Sequence, residues 1–249
     1  QPANLAFNHR GLFVDHTGIN CGYCPSVIDV FRSLAETDAH KHYNEVTVHA
    51  GGFATGDPAN SDAANKVNQF YAPSGYPDVR LNFYTGSPAS RSVQGFTNIL
   101  MSYIKKNGAD AGISMAVEGD NTKIYCAAQV KSAKTQEYKA VAWLLENGIY
   151  SPNQAGATKD YHKIYDYALR NISGSYSKAN ISGESIGTVA DGETYDCAFE
   201  LPIISTKWNY ENMGVLVIVS AKNAQGRWEV VNSAYCSLAD KSKTYEYID

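Results

Sequence analysis

Apolar and polar positions follow two rhythms along this chain, and the change falls near Gly108. Ahead of it, apolar runs of strand length alternate with stretches whose apolar residues recur every three or four positions. The pattern predicts strands over 11–16, 45–49 and 79–84, and helices over 25–39, 62–70 and 90–106. In the third helix Phe96, Ile99, Leu100, Tyr103 and Ile104 share a face, and Lys105-Lys106-Asn107-Gly108 closes it with a basic turn and a glycine. Strand–helix alternation of this kind predicts an α/β layer structure for residues 1–107.

Beyond Gly108 the rhythm shortens to period two. Strands are predicted over 111–118, 123–131, 139–147, 194–201, 214–221 and 228–238, separated by turn signals such as Glu118-Gly119-Asp120-Asn121, Asp191-Gly192 and Asn223-Ala224-Gln225-Gly226. Most of the 18 tyrosines fall here, as half-buried pleated surfaces favour. A long insert, residues 148–192, interrupts the series. It holds one segment of helical spacing, residues 161–170, followed by Ser/Gly-rich chain. Residues 108–249 are therefore expected to form an all-β, immunoglobulin-like sandwich carrying a decorated loop.

Composition narrows the function without choosing it. A chain of 249 residues with 44% apolar and 18% charged residues can bury two domain cores. A net charge of −4, without any Lys/Arg run, argues against nucleic acid as a partner. No apolar run approaches the roughly 20 residues of a membrane helix; the most apolar segment, 213–221, is of strand length. The sequence opens on Gln1 rather than Met, which raises the expectation of a removed export signal or lipid-anchor segment and hence of membrane association through that anchor. Oligomeric state is not legible. There is no Gly-rich phosphate loop, nucleophile–His–Asp set or paired catalytic carboxylate, so no cofactor is expected. Asp62 reads as a helix-start anion rather than a catalytic group.

Chemistry concentrates in the first half. Asp15 stands six positions ahead of Cys21 in the stretch Leu12-Phe13-Val14-Asp15-His16-Thr17-Gly18-Ile19-Asn20-Cys21-Gly22-Tyr23-Cys24-Pro25. A strand, a Cys-x-x-Cys turn and a helix form the arrangement that thiol–disulfide exchange uses. The thiolate is the reactive species, and a free thiol pKa of about 8.5 leaves little of it at neutral pH. Unpaired helix N–H groups beside Cys21 would lower that value. Cys21 is then the attacking thiolate, and Cys24, less exposed, resolves the mixed disulfide. A buried Asp15 with a raised pKa would take the Cys24 proton. Pro25 shifts the expected helix start from Cys21 to Cys24, because proline suits the first helical position. That places Cys21 ahead of the helix and predicts a slower, less reducing couple. The other cysteines, Cys126, Cys197 and Cys236, read as buried core residues. A Cys197–Cys236 disulfide is the alternative in an oxidising compartment.

Asp15, the CxxC ahead of a helix and Gly75-Tyr76-Pro77 before a later strand together resemble the thioredoxin superfamily. The resemblance implies that Pro77 is a cis-proline facing the cysteines, with the Tyr76 backbone available to substrate. Asn20 departs from it, because the family carries tryptophan before the first cysteine. A wider resemblance covers nearly the whole chain. Asp15-His16-Thr17-Gly18, Cys21 to Pro25, Val46-Thr47-Val48-His49-Ala50-Gly51 and Gly75-Tyr76-Pro77 are similar to the first half of the twenty-eight-kilodalton outer-membrane-protein-related lipoprotein family of Bacteroides-type bacteria. Trp143 to Pro152, Tyr161-His162-x-x-Tyr165-x-x-Ala168-Leu169-Arg170 and Trp208-x-x-Glu211-Asn212-Met213 are similar to its β-rich second half. This resemblance implies a secreted protein of the cell envelope, periplasmic or at the outer membrane and lipid-anchored, and names no reaction.

Three functions compete on the sequence. In the first, Cys21 and Cys24 exchange disulfides with protein or peptide thiols, with Asp15, Tyr76 and Pro77 completing the site. In the second, the chain is a binding or structural envelope protein with a static Cys21–Cys24 disulfide. In the third, Cys21, Cys24 and either His16 or His49 hold zinc or copper(I).

Overall fold

The computed structural model describes residues 5–248. Gln1, on which the expectation of a removed leader rests, lies outside them. Three strands and three helices come from the first half: β1 (Gly11–Thr17), α1 (Pro25–Ala35), β2 (Tyr43–His49), α2 (Asp62–Tyr71), β3 (Asp78–Leu81) and α3 (Val93–Tyr103). β1 is buried along its whole length. It pairs in parallel with β2, Asp15 opposite Thr47, and antiparallel with β3, Asp15 opposite Val79. Burial on both faces explains why β1 reads as a nearly continuous apolar run rather than an alternation.

Helix α1 forms where its apolar spacing predicts. Val27, Val30, Phe31 and Leu34 are buried along one face, and Phe31 meets Phe13 of β1 and Phe96 of α3 with ring centroids 5.8 and 5.3 Å apart. The helix is shorter than the sequence suggests. It stops at Ala35, and Asp38–His42 follows as a separate 3-10 turn capped by the Thr37 side chain. The hydroxyls of Ser61 and Ser92 cap α2 and α3 by accepting from Ala64 and Gly95 N–H.

The rest of the chain supplies β4 (Ala111–Gly119), β5 (Lys123–Ser132), β6 (Gln136–Glu146), β7 (Ile149–Tyr150), β8 (Ile164–Tyr165), β9 (Ala168–Ile172), β10 (Glu184–Val189), β11 (Thr194–Pro202), β12 (Met213–Lys222), β13 (Trp228–Ser237) and β14 (Ser242–Lys243). An eight-stranded mixed sheet runs β13-β12-β6-β9-β2-β1-β3, with β10 also on β6, so it contains strands from both sides of residue 107. The join is the parallel contact of β2 with β9 at Thr47 and Ala168. A four-stranded sheet, β11-β5-β4-β14, covers one face of the large one. Between them lies a core that includes Ile113, Val130, Leu144, Val215 and Val217. On the opposite face of the large sheet Trp143, Leu145 and Ile218 pack with Val46, Val48 and the α2 residues Ala64 and Val67. The protein is thus β-rich, with a large mixed sheet, a smaller antiparallel one and few helices.

One expectation needs correction. The segment 161–170 is not an amphipathic helix: it is a 3-10 turn at Asp160–Lys163, then β8 and β9. Tertiary pairing overrides its helical spacing, because Leu169 and Ile172 enter the large sheet between β2 and β6. Cys197 and Cys236 are core residues, as their sequence context predicts, and do not form the alternative disulfide. Both are free and buried, as is Cys126, in the core between the sheets. No helix among the described residues is long and apolar enough to cross a membrane.

Candidate functional site

Strand β1 leads into a tight turn whose shape Gly18 permits. A Cβ there would lie 2.4 Å from the Phe53 carbonyl oxygen. Asn20 N–H donates to that same oxygen at 2.9 Å, and its side-chain amide donates to Thr55 O. A buried carboxylate, Asp57, holds the turn from beneath. It accepts from Ile19 N–H and His49 Nδ1 at 2.8 Å each through one oxygen, and from Ala59 N–H through the other. Burial opposes ionisation of Asp57, but His49 and the two N–H groups outweigh it and hold the carboxyl below its ordinary value.

Cys21 and Cys24 are joined as a disulfide with Cα atoms 5.4 Å apart. Cys24 is the N-cap of α1 and Pro25 its first residue, so Cys21 does stand ahead of the helix. The expected difference in exposure is absent. Cys21 is 2% exposed and Cys24 1%, whereas Tyr23 between them is 73% exposed. The cover over the loop comes from the insert. Gln154 Nε2 donates to Cys21 O at 3.1 Å, and Ala155 N–H donates to Ile19 O at 2.8 Å. Gly156, at φ +72°, approaches so closely that a Cβ there would lie 2.1 Å from Gly22 O. Tyr165 fixes Gln154 by donating to its Oε1 at 2.6 Å, and the Tyr165 ring lies on His49 with centroids 4.3 Å apart. The strap 154–156 is further tied to α1: Tyr161, His162 and Lys159 all bond Asp29, and the Arg32 guanidinium sits 4.1 Å from the Tyr161 ring centre.

Asp15 lies on the strand that feeds this turn, 2% exposed, with Oδ1 lacking any hydrogen-bond partner. Burial, with Asp78 adding repulsion, pushes its carboxyl up to about 8. The Tyr76–Pro77 peptide is cis. Tyr76 OH donates to Ala50 O at 2.9 Å and to Asn68 Oδ1 at 2.6 Å, and its ring lies 5.0 Å from that of Phe53. Tyr23 shares a groove of about 500 Å³ with Tyr76, Pro77 and Arg91. All five residues singled out in the sequence thus lie on the turn, the strand leading into it or the groove beside it. Of the two histidines weighed as metal ligands, His49 is committed to Asp57 and His16 Nδ1 lies 3.2 Å from Asn68 Oδ1. Among the described residues no group of three or more His, Cys, Asp or Glu could hold a metal ion.

Three contributors escaped the sequence: Asp57, Gln154 and Tyr165. Tyr165 left a trace, since it stands in the aromatic-rich spacing of residues 161–170. Asp57 and Gln154 left none, being polar residues in stretches that read as surface loop.

Residues 64–237, more than half of the chain, match the family model described as Outer membrane protein Omp28. The chain belongs to the Omp28 family. Membership places it at the outer membrane or elsewhere in the cell envelope. The matched stretch opens inside α2, after the disulfide, so Omp28 membership is silent on Cys21 and Cys24. Among solved structures, HBP35 of Porphyromonas gingivalis is similar, with a TM-score of 0.70 at 16% identity over 95% of this chain and 77% of that one. At that identity the likeness is one of fold. A domain of the RIM protein from Drosophila aligns at a TM-score of 0.32 and 12% identity over 56% of this chain and 99% of that one, too weak a likeness to argue from. No curated protein matches the sequence.

Proposed function

We propose that residues 1–107 form a thioredoxin-like module, followed by an immunoglobulin-like β-sandwich, and that this envelope protein exchanges disulfides through Cys21 and Cys24. The observation that carries this reading is the groove that Tyr23 shares with Tyr76 and Pro77, at a turn fed by the strand of buried Asp15. In the oxidising direction a substrate thiolate attacks Sγ of Cys21. The Cys21–Cys24 bond breaks, and Asp15, held up near 8, gives its proton to the departing Cys24 thiolate. A second substrate thiolate then attacks the substrate sulfur of the mixed disulfide and releases Cys21. The substrate leaves as a disulfide, and the pair is left as a Cys21 thiolate and a Cys24 thiol. Run backwards, the same steps reduce a substrate disulfide, with Asp15 accepting the Cys24 proton. Partners of this reading are protein or peptide thiols and disulfides, with Tyr76 backbone and Pro77 seating the substrate chain. Attachment through a lipid anchor belongs to the same proposal and is checked by fatty-acid labelling of the protein in its own cells.

Burial of both cysteines beneath the strap favours a second reading, a binding or structural envelope protein with a static disulfide. Equilibration with graded dithiothreitol, followed by thiol alkylation and mass analysis, separates the two. An exchanging pair titrates reversibly and speeds reduction of a small test disulfide protein. A pair that stays oxidised in the folded protein and turns nothing over supports the static reading.

A further inference from the structure

Between α1 and the insert lies a cavity of about 280 Å³, near the lower end of small-molecule pockets, roughly 300–1,000 Å³. Its walls divide by chemistry. Ile28 and Phe31 of α1 make one side, and Tyr161, Tyr165 and Tyr167 another. The floor is the paired strands β1 and β2, which contribute the carboxyls of Asp15 and Glu45; Asp166 adds a third acid from the insert. No lysine lines this space. Arg32, the cation among the lining residues, is exposed and stacked on Tyr161. Asp15 is the decisive group: it lines the cavity, is almost fully buried, and its Oδ1 has no hydrogen-bond partner in the protein. A buried acceptor in that condition is costly, and a ligand that donates to it removes the cost.

We propose that this cavity is a binding site for a small alkylammonium ion, its charged end between Asp15 and Glu45 and its alkyl body against Phe31 and the tyrosine rings. Three features select this chemistry. Two carboxyls on adjacent strands offer acceptors to several N–H groups of one cation. Tyrosine faces attract a cation electrostatically. Anions are rejected by the same acids, and a bare metal ion finds no ligand set, since no group of three His, Cys, Asp or Glu among the described residues could hold one. Burial and repulsion push both carboxyls up to about 8. An ammonium between them stabilises their ionised forms. The proposal is independent of disulfide exchange, because it needs only the oxidised protein as described.

The test is titration of the oxidised protein with n-butylammonium chloride, followed by calorimetry and by amide chemical shifts. n-Butanol and butyrate serve as neutral and anionic isosteres. Saturable binding is expected for the ammonium alone, with shifts concentrated on α1, β2 and residues 160–167. Glu45→Gln, which keeps shape and lies outside the exchange site, should weaken binding about ten-fold or more, as loss of a charge-assisted hydrogen bond does. Should that variant misfold, the shift map of the unaltered protein decides alone. Absence of saturable binding, equal binding of butanol, shifts elsewhere in the molecule, or full affinity in a folded Glu45→Gln would each overturn the proposal.

Discussion

Replacing Gly156 by alanine should open the disulfide to reductant. Two independent costs arise. The new Cβ would sit 2.1 Å from Gly22 O, so strap and disulfide loop must separate by about an ångström to reach ordinary contact. The residue also keeps φ at +72° only against the Cβ–carbonyl clash that costs about 1–2 kcal/mol. Separation strains the Ala155–Ile19 and Gln154–Cys21 hydrogen bonds, each worth about 1 kcal/mol net. A conservative total of about 2–3 kcal/mol off strap docking raises the open population roughly 30- to 150-fold.

If the strap gates access, reduction of Cys21–Cys24 by dithiothreitol under native conditions should accelerate by a comparable factor, read by timed alkylation and mass analysis. Gly22→Ala is the matched control. A Cβ on Gly22 meets nothing within 4 Å, so its rate should equal that of the unaltered protein. A folded Gly156→Ala that is reduced within two-fold of the unaltered rate would refute the gating argument.

Three further outcomes follow from the same packing. Gln154→Ala removes one of the two donors to Cys21 O and the acceptor of the Tyr165 hydroxyl, and should also speed reduction, about ten-fold, in the same alkylation assay. Asp15→Asn should stabilise the protein in a pH-dependent way. Well below pH 4 folded and unfolded chains both hold the Asp15 proton, so ionisation adds no cost. From about 4 to about 8 the unfolded chain ionises while the fold retains the proton, so stability falls by up to about 1.4 kcal/mol per pH unit. Urea midpoints should therefore show a gain on the order of 2–4 kcal/mol at pH 7 and little at pH 4; an equal gain at both would contradict the buried-acid account. Arg170→Met strands Glu146, whose Oε2 accepts from Arg170 Nε at 2.6 Å with both side chains buried, and should cost about 3–5 kcal/mol in urea unfolding.

The elements that local pattern controls were legible in the sequence. Helix α1 begins where Pro25 allows, and Ser61 and Ser92 cap helices the periodicity had marked. β12, the most apolar stretch, is buried over nine of its ten positions. What stayed hidden is long-range. Residues 161–170 carry helical spacing, yet their backbone pairs into the sheet because Ala168 meets Thr47 across more than a hundred positions. Nothing local records that partner. The candidate site divides in the same way. Asp15, Cys21 and Cys24 could be named because motif spacing fixes them relative to one turn, and Tyr76 and Pro77 through the resemblance to the thioredoxin superfamily. The strap could not, because Gln154 and Gly156 act through backbone contacts with residues far away in the chain, and a Gln in a polar loop has no distinguishing neighbours. The insert that reads as a decoration is thus the element that covers the disulfide.

Disulfide exchange is tested most directly by trapping. With Cys24 replaced by serine, Cys21 can form a mixed disulfide that no resolving thiol cleaves. The variant, expressed in its own envelope and isolated after acid quench, should carry proteins released by reductant and absent from a Cys21→Ser/Cys24→Ser control. The unaltered protein should in parallel turn over a small test disulfide. No released partner, together with no turnover by the reduced protein, would contradict the exchange function and leave Cys21–Cys24 a structural bond.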